Sequence, residues 1–422
     1  MRIDYLYIEN FKCISKLEIS DLKDLNVIAG INGSGKSSIL LAIKILLSWF
    51  VSRLKNPKGN GLPIQENDIM NGKNFALLKI RLTDGTSWQI YKAKRTYREP
   101  NQEKSDYSQM NVLCNKIAES LDHGNSNIML IAPYGVNRIV GETPQRIRKT
   151  NKDTQLDMME VSMTNSVNFH DFFIQFRELE DLENEKMRDN GFLQEDIRLK
   201  SIRRAIQSVF PDYGDLKCRR SKPRGFVIEK NGEKFDFKQL SDGEKSYICL
   251  IGDIARKLAV THPSLENPLD GDGIVLIDEA ELHLHPSWQR KLIDNLRRTF
   301  KNCQFLITTH SALIVSSINK NKGDKLVLLK DGNGFVKDNV NVYGKEVSKL
   351  LTEIFDMESL RDPDVQEKMD AVWRILNKGV SESDELKENM TWLHEHIESS
   401  DMFFGLVNRQ KFINNKQNEK NK

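Results

Sequence analysis

The sequence predicts an α/β fold: a parallel core sheet, an antiparallel lobe, a helical insertion and a helical C-terminal region. Three segments carry that prediction. Residues 25–29 form a mostly apolar run that enters a glycine-rich loop and then an apolar helix. Gly273–Ile277 is a second apolar run, closed by Asp278 and Glu279. Cys303–Thr309 is a third, closed by His310. Strands buried on both faces of a parallel sheet read as near-continuous apolar runs, because helices cover each side.

Taken in order, residues 1–28 read as two or three short strands. Residues 30–37 spell Gly-Ile-Asn-Gly-Ser-Gly-Lys-Ser, a phosphate-binding loop of the form G-x-x-x-x-G-K-[ST]. The helix that follows runs to about Leu54 and is ended by Pro57, Gly59 and Gly61. Residues 75–82 and 88–93 alternate around a turn at Asp84-Gly85-Thr86, which predicts antiparallel strands within 74–98. Residues 99–127 and 142–166 are polar and read as loops. Residues 168–210 are charged, with Phe172, Phe173, Phe176, Leu179 and Leu182 at helical spacing, and predict a short protruding helical arm. Strands return at 216–229, and the parallel core resumes near residue 236. Residues 345–400 read as helical, and the Asn/Lys-rich tail from Arg409 to Lys422 as disordered.

The expected domain layout is therefore a head over 1–330, a helical region over 331–408 and a disordered basic tail over 409–422. Within the head, strands of the antiparallel lobe fall at about 74–140 and the helical arm at about 165–212. The second half of the core lies at about 236–330.

Composition narrows the class. With 39% hydrophobic and 29% charged residues the chain is that of an ordinary globular protein. It holds no run of 18 apolar residues, and its N-terminus enters a strand pattern with no signal-peptide layout, so a cytoplasmic protein without a membrane span is expected. The five cysteines are scattered without C-x-x-C spacing, which argues against a disulfide framework or a zinc site. A net charge of +3 means that any nucleic-acid contact must come from local patches.

The motifs carry the chemistry. Glycines in the loop let consecutive N–H groups turn inward around an anion, and the next helix presents its positive end. Gly30, Asn32, Gly33, Ser34, Gly35 and Ser38 then cradle the phosphates of ATP, Lys36 reaches the β- and γ-phosphates, and the Ser37 hydroxyl ligates Mg²⁺. Asp278 is placed for the Mg²⁺ shell, and Glu279 to polarise an attacking water. Gln239-Leu240-Ser241-Asp242-Gly243-Glu244-Lys245 precedes an amphipathic helix, so Ser241, Gly243 and Glu244 mark a second anion site at a helix N-terminus. One phosphate group does not need both sites, whereas a second molecule supplying one of them does. His310 ends its strand where it would meet the γ-phosphate or the attacking water.

In this order the phosphate loop, the L-S-D-G-E signature, the I-D-E carboxylates and the T-T-H switch resemble the ABC-type ATPase heads of the SMC/RecF/OLD-like group. The resemblance covers most of residues 1–330. It implies a RecA-like core with lobe-one strands, slow Mg²⁺-dependent ATP hydrolysis, and heads that pair head-to-tail around two ATP molecules. It also places Lys12, in Ile8-Glu9-Asn10-Phe11-Lys12, near the nucleotide. Residues 132–138 resemble the Y-G-x-x-R segment of AAA-21-like defence ATPases, standing where relatives carry a glutamine loop. No glutamine stands there, which leaves Asn137 and Gln65 as candidates for that sensor. Residues 281–290 resemble the E-x-H-L-H-P-x-W-Q-R stretch of the same group. Glu281, His283 and His285 suggest metal ligands in isolation, but the resemblance makes them the dimer-facing D-loop. Tyr343-Gly344-Lys345 and residues 350–355 resemble the C-terminal region of the Septu- and retron-associated antiviral ATPases of the PtuA type. Those ATPases work with a separate HNH nuclease, PtuB, which is the implied partner here.

Basic residues cluster at Lys92, Lys94, Arg95 and Arg98, at Arg146, Arg148 and Lys149, and at Lys217, Arg219, Arg220, Lys222 and Arg224. Each cluster is a possible DNA contact or a solvated face balanced by the acidic stretch 178–185. Three classes follow: an antiviral ATPase controlling a partner nuclease, a RecF-like repair ATPase acting on DNA directly, and, least supported, a transporter subunit.

Overall fold

Five parallel strands form the centre of the first of two units, and their order explains why distant motifs meet. The computed structural model describes all residues except 98–102, 123–126, 137–153, 165–168, 193–194, 223, 330–340, 381 and 421–422. In chain order the first unit holds β1 (Ile3–Phe11), β2 (Ile14–Ile19), β3 (Leu25–Gly30), α1 (Lys36–Lys55), β4 (Phe75–Leu82), β5 (Ser87–Ala93), α2 (Ser108–Asp122) and β6 (Leu130–Tyr134). It continues with α3 (Gln155–Thr164), α4 (Phe169–Asn190), α5 (Ile197–Val209), β7 (Lys217–Arg219), β8 (Gly225–Lys230), β9 (Glu233–Asp236) and α6 (Asp242–Thr261). Then come β10 (Gly273–Ile277), α7 (Pro286–Thr299), β11 (Cys303–Thr309), α8 (Ala312–Val315) and β12 (Asp324–Leu329).

The core sheet has the order β12-β3-β11-β10-β6, with every neighbouring pair parallel. Every residue of β3, β6, β10 and β11 is buried, as the apolar runs predict. One strand differs from expectation. Residues 130–134 do not join the antiparallel lobe. They pair in parallel with β10, Tyr134 opposite Ile277, because a strand buried on both faces belongs in the helix-covered sheet.

The antiparallel lobe is a four-stranded sheet, β2-β1-β4-β5. Its β4–β5 turn lies where the sequence places it, closed by the Thr86 N–H donating to Asp84 at 2.9 Å. Helix α1 packs against strands of both sheets. The Trp88 indole donates to the Leu46 carbonyl at 3.0 Å, and Phe50 stacks on Trp88. Among the described residues α1 is the one helix long and apolar enough to cross a membrane, and its burial against those strands accounts for that composition.

Two polar stretches expected as loops are helices. α2 buries Met110 and Cys114, and α3 buries Met158, Met159 and Met163. A few apolar residues per helix suffice once a core face is waiting, and tertiary packing outweighs weak local periodicity. The helical insertion also differs from a protruding arm. Phe172, Phe173 and Phe176 of α4 surround Phe226 of β8 at 5.7, 4.9 and 5.1 Å, and α5 packs along α6. The aromatic stripe of α4 therefore closes a core with the β7-β8-β9 sheet.

The chain divides at Leu350/Leu351, later than the expected 330/331. The first unit retains residues 341–350, where Val342 is buried and the Gly344 N–H donates to the Ser316 carbonyl at 3.2 Å. The helix α9 (Val347–Glu353) spans the division. The second unit contains α10 (Pro363–Asn377), α11 (Asp384–His396) and α12 (Met402–Lys420). Their core is Met369, Val372, Leu376, Leu386, Leu393, Phe403, Phe404 and Val407. The expected disordered tail is helical through Lys420, because buried Phe403, Phe404 and Val407 nucleate α12 and Asn414 donates to the Leu376 carbonyl at 2.7 Å.

Candidate active site

The phosphate loop joins the C-terminal end of β3 to α1. Gly30 ends the strand, Asn32 and Gly33 are exposed, and Ser34, Gly35 and Lys36 are buried. Gly35 turns the chain into the helix at φ +100°, a conformation an L side chain resists. Lys36 folds back over the loop, its ammonium donating to the Gly30 and Ile31 carbonyls at 2.9 and 2.7 Å. Burial pulls the Lys36 pKa below its usual value, while Glu281, Glu279 and Asp278 oppose that fall. The ammonium is thus held in the loop by neutral acceptors, which bind a cation more weakly than an anion would. The turn between β1 and β2 lies against the start of α1, with the Cys13 sulfur 3.8 Å from the Ser38 hydroxyl. On that turn Lys12, at φ +53°, pairs with Asp68 at 2.7 Å.

β10 delivers its carboxylates beside the loop. The Ser37 hydroxyl donates to Asp278 at 3.1 Å, and the Thr308 hydroxyl donates to the same oxygen. Two hard oxygen ligands, a hydroxyl and a carboxylate, thus converge, a pair of the chemistry that could hold Mg²⁺. The Asp278 N–H donates to the Tyr134 carbonyl at 2.8 Å, which fixes its backbone. Glu279 follows at φ +46°, and its N–H donates to the Thr308 hydroxyl at 2.8 Å. A bulky residue with positive φ is strained by about 1–3 kcal/mol, and the neighbouring bonds hold it there.

The switch histidine is braced by a carboxylate absent from the predicted site. Glu281 accepts from the Thr309 hydroxyl at 2.7 Å and, through its other oxygen, from the His310 N–H. Ser311 caps α8 and donates to Gln289 at 2.6 Å. Burial, then the Lys36 charge, pulls the His310 pKa below 6.5, against the raising effect of Glu281, Glu279 and Asp278. The imidazole is therefore neutral at physiological pH and can accept as well as donate.

The signature forms the N-terminus of α6. Ser241 is the exposed N-cap, and its hydroxyl donates to Glu244 at 2.8 Å. Glu244 turns inward, away from a nucleotide-facing position. It also accepts from Lys230 at 2.6 Å and from Tyr213. Burial raises its pKa, but Lys230, Tyr213 and Ser241 prevail and bring it to about 2. Gly243 is buried because the D-loop backbone presses on it: a Cβ there would lie 2.1 Å from the His283 carbonyl oxygen. His283 itself has φ +64°, and His285 caps α7 by accepting from the Ser287 N–H at 3.3 Å.

Comparison with known proteins places this arrangement. The chain matches the family described as "AAA domain, putative AbiEii toxin, Type IV TA system" over residues 25–316, a span from the first core strand to beyond His310. The chain belongs to this AAA-domain family. It is 31% identical over 420 residues to "Retron Ec83 probable ATPase" of Escherichia coli, covering 85% of this chain and 76% of that one. It is 27% identical over 412 residues to "Retron Vc95 probable ATPase" of Vibrio cholerae, covering 85% and 80%. "Septu protein PtuA" of Bacillus thuringiensis is 26% identical over 380 residues, covering 86% of each. Among solved structures, the SMC head domain from Thermotoga maritima is 16% identical with a TM-score of 0.41, covering 81% of this chain and all of that one.

For this AAA-domain ATPase the remaining sequence expectations fall unevenly. Asn137 lies outside the described residues, and Gln65 is exposed beside Asp68. The basic residues Arg98, Arg146, Arg148 and Lys149 lie outside as well. In the third basic cluster, Arg219 pairs with Asp236, Arg220 with Glu180 and Asp181, and Lys217 with Asp215. These charges are matched within the fold, which weakens that cluster as a DNA contact. Arg95, whose side chain is 94% exposed, lies 3.6 Å from Glu66. A cleft of about 280 Å³ opens beside the Ser37–Asp278 pair, between Ser37, Leu40 and Lys44 of α1 and Tyr134 and Asp278.

Proposed function

We propose that this ATPase is the nucleotide switch of an antiviral defence complex, pairing head-to-tail around two ATP molecules to control a partner HNH nuclease. One observation carries the proposal. The phosphate loop, Asp278, Glu279 and His310 gather at the C-terminal ends of β3, β10 and β11, while the Ser241 hydroxyl bonds to its own Glu244. Gly243 and Glu244 are buried, but Ser241 is exposed at the N-terminus of α6, which supports a contact from there to a nucleotide held by a second copy. The relatedness to retron and Septu ATPases supports the defence role.

Within one site, Lys36 and the loop N–H groups bind and orient the triphosphate. Ser37 and Asp278 would hold Mg²⁺, which would supply positive charge to the phosphate oxygens. Glu279 accepts the proton of the attacking water through its carboxylate, and neutral His310 orients that water or the γ-phosphate. The signature of the second copy completes the closed site, so ATP cements the pair and hydrolysis releases it. A switch of this kind turns over slowly.

The test is affinity capture of tagged Glu279→Gln protein from its native host with and without ATP, read by mass spectrometry. A stoichiometric HNH-type nuclease is expected. Recovery of DNA without any protein partner would replace this proposal with a repair ATPase.

A further inference from the structure

A cluster of buried charge links the signature helix α6 to β6, the strand paired with β10. Asp253, Arg256 and Lys257 of α6 are 3, 5 and 3% exposed, and Tyr134 of β6 is 1% exposed. The Tyr134 hydroxyl donates to Asp253 at 2.9 Å. Lys257 reaches the same Asp253 oxygen at 2.7 Å and lies 4.6 Å from the centre of the Tyr134 ring. Arg256 takes the other oxygen at 2.6 Å and donates onward to Gln175 of α4. Burial pushes the Asp253 carboxyl up, but Lys257 and Arg256 overcome that and hold it well below the usual carboxylate range. Buried ion clusters of this kind are poor sources of stability, since apolar packing of the same volume does as well or better. What they supply is a fixed register between the elements that carry them.

Here those elements are informative. Tyr134 holds α6 with its hydroxyl and the Asp278 N–H with its carbonyl. Asp278 in turn receives the Ser37 and Thr308 hydroxyls. At the far end of α6, Ser241 lies twelve residues before Asp253, about 18 Å along one helix. A helix moves as a unit, so displacement at Ser241 reaches Asp253 nearly undiminished.

We propose that Tyr134 is a positioning residue that couples engagement of the signature by a partner's nucleotide to the placement of Asp278 and Glu279. This inference rests on the head-to-tail dimer. The clasp makes hydrolysis conditional on pairing: a nucleotide at Ser241 shifts or steadies α6, Asp253 carries this to Tyr134, and Tyr134 sets the backbone of Asp278.

Tyr134→Phe tests it in the full chain. The ring and carbonyl remain, and Asp253 keeps both of its cations. Fluorescent-ATP affinity is expected within about twofold of wild type, as is ATP-dependent association measured in the Glu279→Gln background, while kcat falls at least about tenfold. Lys257→Met removes one cation from Asp253 and the 3.3 Å donation to the Tyr134 hydroxyl, but it leaves the Tyr134–Asp253 bond that the proposal makes the coupling contact, and it is expected to keep kcat within about threefold. Unchanged kcat in Tyr134→Phe, with association intact, overturns the clasp alone. A parallel fall in affinity and association, or an equal loss in Lys257→Met, assigns the effect to fold stability and also overturns it. Failure of the Glu279→Gln parent itself to associate with ATP strikes the dimer proposal first.

Discussion

Glu281→Gln isolates the brace on the switch histidine. Wild-type Glu281 accepts through both oxygens, from the Thr309 hydroxyl and the His310 N–H. Glutamine retains one acceptor and turns an NH₂ group toward the other donor, so one bond is lost and the survivor becomes neutral. A hydrogen bond to a charged group contributes about 1.5–3 kcal/mol. If that energy holds His310 in its catalytic position, its loss slows hydrolysis by about 10- to 100-fold. Neither Glu281 hydrogen bond goes to the phosphate loop, and loss of its negative charge near Lys36 does not oppose an anionic ligand, so nucleotide affinity is not expected to fall by more than about threefold. The assay pairs phosphate release at saturating ATP with direct nucleotide titration. A thermal melt checks that the variant remains folded. A kcat within about twofold of wild type in a folded protein would refute the brace. A fall in affinity alone would move Glu281 to nucleotide binding.

Other substitutions probe separate parts. Lys36→Ala removes the only side-chain cation the loop folds over itself, and nucleotide affinity should fall at least about tenfold by calorimetric titration; retained tight binding would contradict its role. His310 has a pKa below 6.5, because burial and Lys36 disfavour its charged form, so the acid limb that it causes should lie below pH 6.5. A limb centred above that value and abolished by His310→Gln would be incompatible with the geometry. Glu244 has a pKa of about 2 against an ordinary 4.5, so its bonds stabilise the fold above pH 4.5 and are lost as pH falls toward 2. Glu244→Gln should therefore cost about 1–2 kcal/mol at neutral pH and flatten the acid decline in urea titrations. An unaltered acid profile would show that Lys230 and Tyr213 do not hold it.

Much of the site was legible because its parts are local. The loop, the apolar strands and the carboxylates each fit within a few residues, and their spacing alone implies strand, turn and helix. The contacts that tie them together are not local. Glu281 reads as part of a D-loop until β10 and β11 pair and bring it to Thr309 and His310. Glu244 looks like signature chemistry, yet Lys230 comes from β8 and Tyr213 from the turn before β7, which only folding places beside it. The stripe Phe172, Phe173, Phe176 was visible, but its partner Phe226 lies on β8, so an enclosed core was mistaken for an arm. Tyr134 carried no signal beyond its tyrosine-glycine pair, because its partner Asp253 sits more than a hundred residues away. The helices α2 and α3 were missed for a different reason: their apolar residues are too few to outweigh polar surroundings until α1 and β6 supply a face.

The central claim is that ATP joins two copies through the signature of one and the phosphate loop of the other. The most direct test is the solution mass of Glu279→Gln by light scattering with and without Mg²⁺ and ATP, repeated with Ser241→Arg added. The account predicts a mass that doubles only with ATP and returns to that of a single chain when Ser241 is replaced. A mass independent of ATP, or an ATP-dependent pair indifferent to Ser241, would contradict it.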